Sequence, residues 1–341
     1  MTNEPRIVGI SMIRNDADIV EAFVRHSLRL LDHLFIIVHC PEDGTDQILK
    51  AMHEEKLPMT LVFDDEPAFL QGERLTWLAR QAHAALPSDF IFPIDADEFI
   101  VPADRAIIES ALKGIPSDMP AARIRLRTFV PTVDDPANEL NPVRRIRYRV
   151  IDETRVDKVV LTPAFAADPS FVLAHGSHGL LRVGATGRQL PVPPLREIAL
   201  AHYPVRSANQ VINKTIIGYL AHIASGRPEF EELRIATHWR RSFEDLVCGT
   251  GQDPTGPGLI AWFHDRQSRA ARPDELVCDP TPSPDELRYA HLVRNDPYAT
   301  LARFTEHVIR KRPGELDSQR FRHGPRDETK RSGLTAGPQR S

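Results

Sequence analysis

Phe90-Ile91-Phe92-Pro93-Ile94-Asp95-Ala96-Asp97-Glu98-Phe99 sets an uncharged, mostly apolar run directly against three carboxylates. The run reads as a short strand covered on both faces, with the acidic residues at its carboxyl end. Three neighbouring carboxylates at the edge of a core repel one another and lose hydration unless counter-charge is supplied. In open α/β sheets ligands bind outside the carboxyl ends of the strands, so the cluster falls where a site is expected. A hard divalent cation, Mn²⁺ or Mg²⁺, takes oxygen ligands and can bridge carboxylates to a diphosphate. The plainer alternative is a solvated acidic turn that caps the next segment.

Upstream, the same alternation repeats. Ile7 to Met12 is an apolar run, and Asn15 or Asp16 can cap a helix that carries Ile19, Phe23 and Leu30 on one face. Leu34 to Val38 is a second run, followed by a helix with Ile48, Leu49 and Met52 for which Thr45 is the expected N-cap. Met59 to Phe63 reads as a third strand, and Leu70 to Leu86 has helical periodicity. Apolar strands separated by amphipathic helices predict an α/β fold with a parallel sheet covered on both faces. Downstream of about residue 120, Arg123 to Arg127 and Arg145 to Arg149 alternate charged and apolar residues, as in strands with one solvated face, so the sheet is expected to become mixed. Helical patterns return at 210–225, at 230–247, around Trp262, and from an N-cap at Thr300 to Lys311. The resulting division is an α/β domain over 1–225, a helical C-terminal extension over 226–312, and a tail over 313–341 poor in large apolar residues and expected to be disordered.

Composition narrows the possible partners. The chain has 341 residues, 41% of them hydrophobic, and a formal net charge of -4, which leaves no broad basic surface for nucleic acid. Cys40, Cys248 and Cys278 are an odd, widely spaced set that suggests neither a disulfide framework nor a zinc site, so a reducing cytoplasm is expected. No run reaches the roughly 20 apolar residues of a transmembrane span.

The string Pro93-Ile94-Asp95-Ala96-Asp97-Glu98-Phe99 strongly resembles the Asp-x-Asp region of bacterial proteins related to glycosyltransferase family 2. Further segments are similar: Met12-Ile13-Arg14-Asn15-Asp16 to the family's opening strand and basic-Asn-acidic motif, with Asp16 for the usual Glu; His39 to Thr45 to its segment ending in Asp-Gly-Thr; and Ala201-His202-Tyr203-Pro204-Val205-Arg206-Ser207 with Asn213-Lys214 to its His-Tyr segment and later Lys. The resemblance covers about residues 7 to 220. It implies a GT-A (Rossmann-like) mixed sheet flanked by helices, and a metal held by Asp97 and His202 with Asp95. It also implies a donor contacted by Arg14, Asn15, Asp43, Asp65 and Asp95, with Arg206 and Lys214 neutralising the departing diphosphate. Gln71, Arg74, Lys158, His175 and His178 lie in stretches that also resemble the family.

The implied reaction is metal-dependent transfer, inverting in such families, of a sugar from a nucleoside-diphosphate sugar, a UDP-sugar foremost, to a glycan, lipid-linked or small hydroxyl acceptor. Inversion needs a carboxylate base on the acceptor. Asp134, Asp135, Glu139, Asp152, Glu153 and Asp157 are the candidates, with Asp157 preferred because it precedes the family-like Lys158. Two alternatives stand beside this one: a nucleotide- or carbohydrate-binding protein without catalysis, and a sugar-phosphate nucleotidyltransferase. The latter expects a Gly-rich loop after the first strand, and Ser11 to Asn15 contains no glycine.

Overall fold

The computed structural model describes residues 4–151, 157–183, 189–226, 237–248, 275–283 and 286–310. Its first half is a strict alternation: β1 (Ile7–Ile13), α1 (Val20–Ser27), β2 (His33–His39), α2 (Thr45–Glu54), β3 (Met59–Asp64), α3 (Gln71–Ala85) and β4 (Phe90–Pro93). After the acidic cluster come β5 (Glu98–Val101), α4 (Arg105–Leu112), β6 (Ala121–Val130), α5 (Pro142–Arg145), β7 (Tyr148–Val150), β8 (Asp157–Leu161), α6 (Pro163–Ala167), β9 (Phe171–Leu173) and β10 (Leu180–Arg182). The chain continues through β11 (Pro194–His202), α7 (Ala208–Ile223), α8 (Thr237–Cys248), β12 (Leu276–Cys278) and α9 (Pro297–Arg310).

The central sheet runs β12-β7-β6-β8-β4-β1-β2-β3, with β11 paired to both β5 and β6. Strands β4, β1, β2 and β3 are parallel neighbours, whereas β8 is antiparallel to β4 and β6. This is the expected mixed sheet flanked by helices, and chain order reverses between β1 and β4, the switch point at which open α/β sheets bind ligands. The pleat sorts β1 between two cores: Ile7 and Ile13 join the apolar cluster under α1, α2 and α4, while Val8, Ile10 and Met12 join the one under α3 and α6. In β6 the same period buries Ile124 and Leu126 and leaves Arg123 and Arg125 outside.

Several local expectations are corrected. The N-cap of α2 is Gly44, at φ 99°, with Thr45 as the first helical residue. No side chain caps α1; the Asp16 carbonyl accepts the Ile19 and Val20 N–H groups. Helix α9 begins at Pro297 rather than after Thr300, because the Asp296 carboxylate accepts from the N–H groups of Tyr298 and Ala299. The alternating stretch 145–149 splits between the end of α5 and β7 because Pro142, pre-set for a first helical turn and capped by Asn141, starts a helix there. The span read as a helical extension contains a strand, β12, which joins the main sheet through β7. The predicted helix at 230–247 is seen as α8 from Thr237; its first part, the segment around Trp262, Asp152, Glu153 and the tail lie outside the described residues. No helix among the described residues is long and apolar enough to cross a membrane.

Candidate functional site

The acidic cluster is placed by two strands that meet it from opposite directions. Strand β4 ends at Pro93, a turn closes with the Glu98 N–H donating to the Asp95 carbonyl at 3.0 Å, and β5 leaves antiparallel to β11. That pairing sets His202 opposite Glu98, and the Tyr203 N–H donates to the Asp97 carbonyl at 2.8 Å. His202 Nε2 thereby comes within 3.9 Å of Asp97 Oδ2. The next helix, α7, is capped by Ser207, whose side chain accepts from the Gln210 N–H. Two turns in, Lys214 reaches back and donates to Asp97 Oδ2 at 2.6 Å. One potential ligand atom from each of Asp97, Glu98 and His202 lies within 4.8 Å of the others.

Asp95 faces a second set of partners. Gln71 Nε2 donates to its Oδ1 at 2.8 Å, and Gln71 Oε1 accepts from the Gly176 N–H at 3.1 Å, tying the cluster to the His175–Ser177 turn. Lys158 Nζ lies 2.6 Å from Asp95 Oδ2 and 3.0 Å from Glu98 Oε1, and both Lys158 and Glu98 are 1% exposed. Successive strand residues point to opposite faces. Lys158 therefore enters the cluster, while Asp157, the predicted base, points away and pairs with Arg123 at 3.3 Å. His178 Nδ1 sits 3.0 Å from the Asp157 carbonyl.

Arg206 is fully buried and acts as a brace. Its guanidinium grips Asp18 through two nitrogens at 2.8 and 2.9 Å, reaches Asp16 at 2.9 Å, and passes 3.6 Å from Asp97. It therefore joins the β1 loop to the β11–α7 link. In the sequence Asp16 stands out as a candidate helix cap and as the acidic member of the basic-Asn-acidic motif, without a site role of its own, and Asp18 is not singled out.

The donor-contact candidates of the first loops are engaged with other protein groups. Arg14 and Asn15 each donate to Glu42 at 2.7 Å. Asp43 is buried, accepting from the Ala17 N–H at 2.9 Å and from the Thr45 N–H and hydroxyl at 3.0 and 2.6 Å. Burial, opposed by Thr45, pushes the Asp43 carboxyl up to about 6. Asp65 lies in the exposed loop after β3, and Arg74 pairs with Asp64 at the end of that strand.

Charge in the cluster is unbalanced. Asp16, Asp18, Asp95, Asp97 and Glu98 face only three cationic side chains, Lys158, Lys214 and Arg206, among the described residues. Burial, opposed by Lys158 and reinforced by Asp95 and Asp97, pushes Glu98 up to about 8. Burial, opposed by Arg206 and reinforced by Asp97, pushes Asp16 up to about 7. Burial also raises Asp97, but Lys214 foremost outweighs it and holds this carboxyl below the usual range. His202 is lowered to about 4 by burial, against the pull of Asp97, and is neutral at pH 7, the form in which imidazole binds metals. Carboxylate oxygens with a neutral imidazole, short of positive charge, fit a divalent cation of the Mn²⁺ or Mg²⁺ type, the imidazole suiting a transition metal.

The chain matches no protein-family model, and no curated protein sequence matches it. Among solved structures it is similar to S. aureus TarS. The TarS 1–349 fragment in complex with UDP shares 10% identity, with 90% of this chain and 92% of the fragment covered and a TM-score of 0.34. A longer TarS chain shares 11% identity with a TM-score of 0.33; 77% of this chain is covered, and it spans about half, 53%, of that TarS chain. A mannose-1-phosphate geranyltransferase from Thermus thermophilus shares 10% identity over 82% of this chain and 75% of its own, with a TM-score of 0.25. A likeness this weak carries no argument about this chain.

Proposed function

We propose that the protein is a divalent-cation-dependent glycosyltransferase that moves a sugar from a nucleoside-diphosphate sugar, UDP-sugars foremost, to a hydroxyl of a glycan, lipid-linked or small acceptor. The observation that carries this reading is the approach of His202 to Asp97 next to Glu98, inside a cluster short of positive charge, beside the β1–β4 switch point.

In this reading Asp97 and His202 hold the cation. Asp95, fixed by Gln71 and Lys158, orients the donor or a bound water. Glu98 has both oxygens occupied, by Lys158 and by the Asp95 N–H, and shapes the site from behind. The cation, when bound, offsets the diphosphate's charge as the glycosidic bond breaks. Lys214, half-buried at the rim of α7, is the cation placed to turn from Asp97 to the departing diphosphate, where preorganised positive charge stabilises the transition state. Arg206 holds the Asp16–Asp18 loop and acts on the donor only through that loop. Inversion also needs a base on the acceptor side, and Asp157 would have to part from Arg123 and cross the sheet face to serve.

Calorimetry of UDP binding in the presence of Mn²⁺ tests the reading. Asp97→Ala and His202→Ala are expected to weaken binding; unchanged affinity in both variants overturns the metal site.

A further inference from the structure

Helix α9 crosses the end of the sheet from which the loops after β1, β2 and β3 emerge, and three residues of one helix face touch all three loops. Arg303 donates to the Glu42 carbonyl, after β2. Phe304 is 3% exposed and sets its ring 4.9 Å from the guanidinium carbon of Arg14, after β1. One turn later, His307 Nε2 meets the Asp65 carbonyl, after β3, at 2.5 Å. The chain entering the helix adds to this cover. The Arg294 N–H donates to the Asp43 carbonyl at 2.8 Å, Asn295 bonds Ser207 and Asn213, and the Leu292 carbonyl sits so close to Gly44 that a Cβ there would collide with it.

These contacts fall where a ligand would enter. The switch point lies at the carboxyl ends of β1 and β4, where the acidic cluster follows β4 and the covered loops follow β1 and its neighbour β2. Arg14, Glu42 and Asp43, on the β1 and β2 loops, are nearly buried, and Phe304 covers the Arg14 cation.

The cover is attached differently from the rest of the fold. Phe304 belongs to a small apolar cluster with Ile217 and Ala221 of α7, separate from the two large clusters on the sheet faces. Its contacts with the loops are hydrogen bonds to backbone carbonyls, one cation–π contact, the His307 ring 3.9 Å from Cys40 Sγ, and packing of its small cluster against Phe69; all but the last are polar contacts that water and a ligand can replace. A segment with few buried apolar contacts opens at lower cost than one woven into the main core.

We propose that α9 is an autoinhibitory cover on the nucleoside side of the cleft, with the Phe304 ring on Arg14 in the place of a nucleobase, and that a nucleoside diphosphate must displace it to bind. The inference rests on the glycosyltransferase reading of the acidic cluster. Its consequence is an apparent affinity reduced by the fraction of molecules in which α9 is open, a penalty that loosening α9 removes.

Two measurements with UDP and Mn²⁺ test it. The double variant Phe304→Ala, His307→Ala keeps good helix formers at both positions, and Arg303→Ala alters only an exposed side chain. Calorimetry is expected to give UDP binding about tenfold tighter in the double variant and severalfold tighter in Arg303→Ala. Hydrogen exchange in wild-type protein is expected to speed up over 297–310 when UDP and Mn²⁺ are added. Unchanged or weaker UDP binding in Arg303→Ala, or protection of 297–310 by UDP, would overturn the cover and make α9 a fixed wall. Those outcomes leave the donor reading intact, whereas absence of UDP binding in wild type and every variant removes both.

Discussion

Lys214 Nζ lies 2.6 Å from Asp97 Oδ2, the oxygen that Arg206 Nη1 approaches to 3.6 Å and His202 Nε2 to 3.9 Å. The lysine thus shares with His202 the carboxylate proposed to hold a cation. Like charges at such distances repel appreciably even in a partly screened setting. Lys214→Ala is therefore expected to bind Mn²⁺ severalfold more tightly in a paramagnetic-resonance titration, while transfer from a UDP-sugar falls by about 10²-fold. Weaker Mn²⁺ binding would contradict the position given to the lysine.

Lys158 joins Asp95 and Glu98 from inside the sheet, and its removal leaves two carboxylates without their nearest cation. Lys158→Met is expected to cost about 3–5 kcal/mol in urea unfolding, the range for breaking a buried pair. Adding Asp95→Asn should recover part of that loss, since the carboxylate left without its nearest cation goes with it. A double-mutant cycle showing strict additivity would mean that the two groups are not coupled.

Arg206 ties two loops far apart in sequence through a two-nitrogen grip on Asp18. Arg206→Ala is expected to lose about 3–5 kcal/mol and to speed hydrogen exchange over 14–19. Arg206→Lys should rescue little, because an ammonium cannot reproduce the planar fork. Full rescue by lysine would show that charge alone matters there.

Glu55 fastens α1 and the 288–289 segment to α2: Arg25 donates to it at 2.7 and 3.0 Å and the Tyr289 hydroxyl at 2.8 Å. The Arg25 hydrogen bonds foremost lower its carboxyl from 4.5 to about 2. A depressed carboxyl contributes stability that is fully present above its unfolded value and is lost as pH falls through the folded one. The stability difference between wild type and Glu55→Gln should therefore hold steady above pH 4.5 and vanish toward pH 2. A difference independent of pH over that window would assign it to packing.

Much of the fold is readable from β1 to β4, because β1, β2 and β4, buried on both faces, must be apolar throughout and the helices between must carry a stripe, while the half-exposed edge strand β3 is read from its apolar Met59, Leu61, Val62 and Phe63. The acidic cluster is legible for the same reason: Asp95, Asp97 and Glu98 interrupt a run that otherwise avoids charge. Strand β11 is harder to see, since Arg196 and Glu197 break its pattern and its register with β6 shifts between Leu195 and Ala199. His202 stands out by family resemblance, yet only the β5–β11 pairing explains how it reaches Asp97. The part played by Lys158 rests on a contact across 63 residues, and its one local sign is a lysine set against Val159, Val160 and Leu161. The pattern of α9 reveals a helix, but nothing in it tells which loops its Arg303–His307 face will meet.

The central claim, a cation site built on Asp97 and His202, is tested most directly by a crystal of the protein grown with Mn²⁺ and UDP and measured at an energy where manganese scatters anomalously. One strong anomalous peak is expected in bonding contact with Asp97 and His202, bridged to the UDP diphosphate, and no such peak in Asp97→Ala. UDP bound with no peak at that position, or a peak that persists there without Asp97, would contradict it.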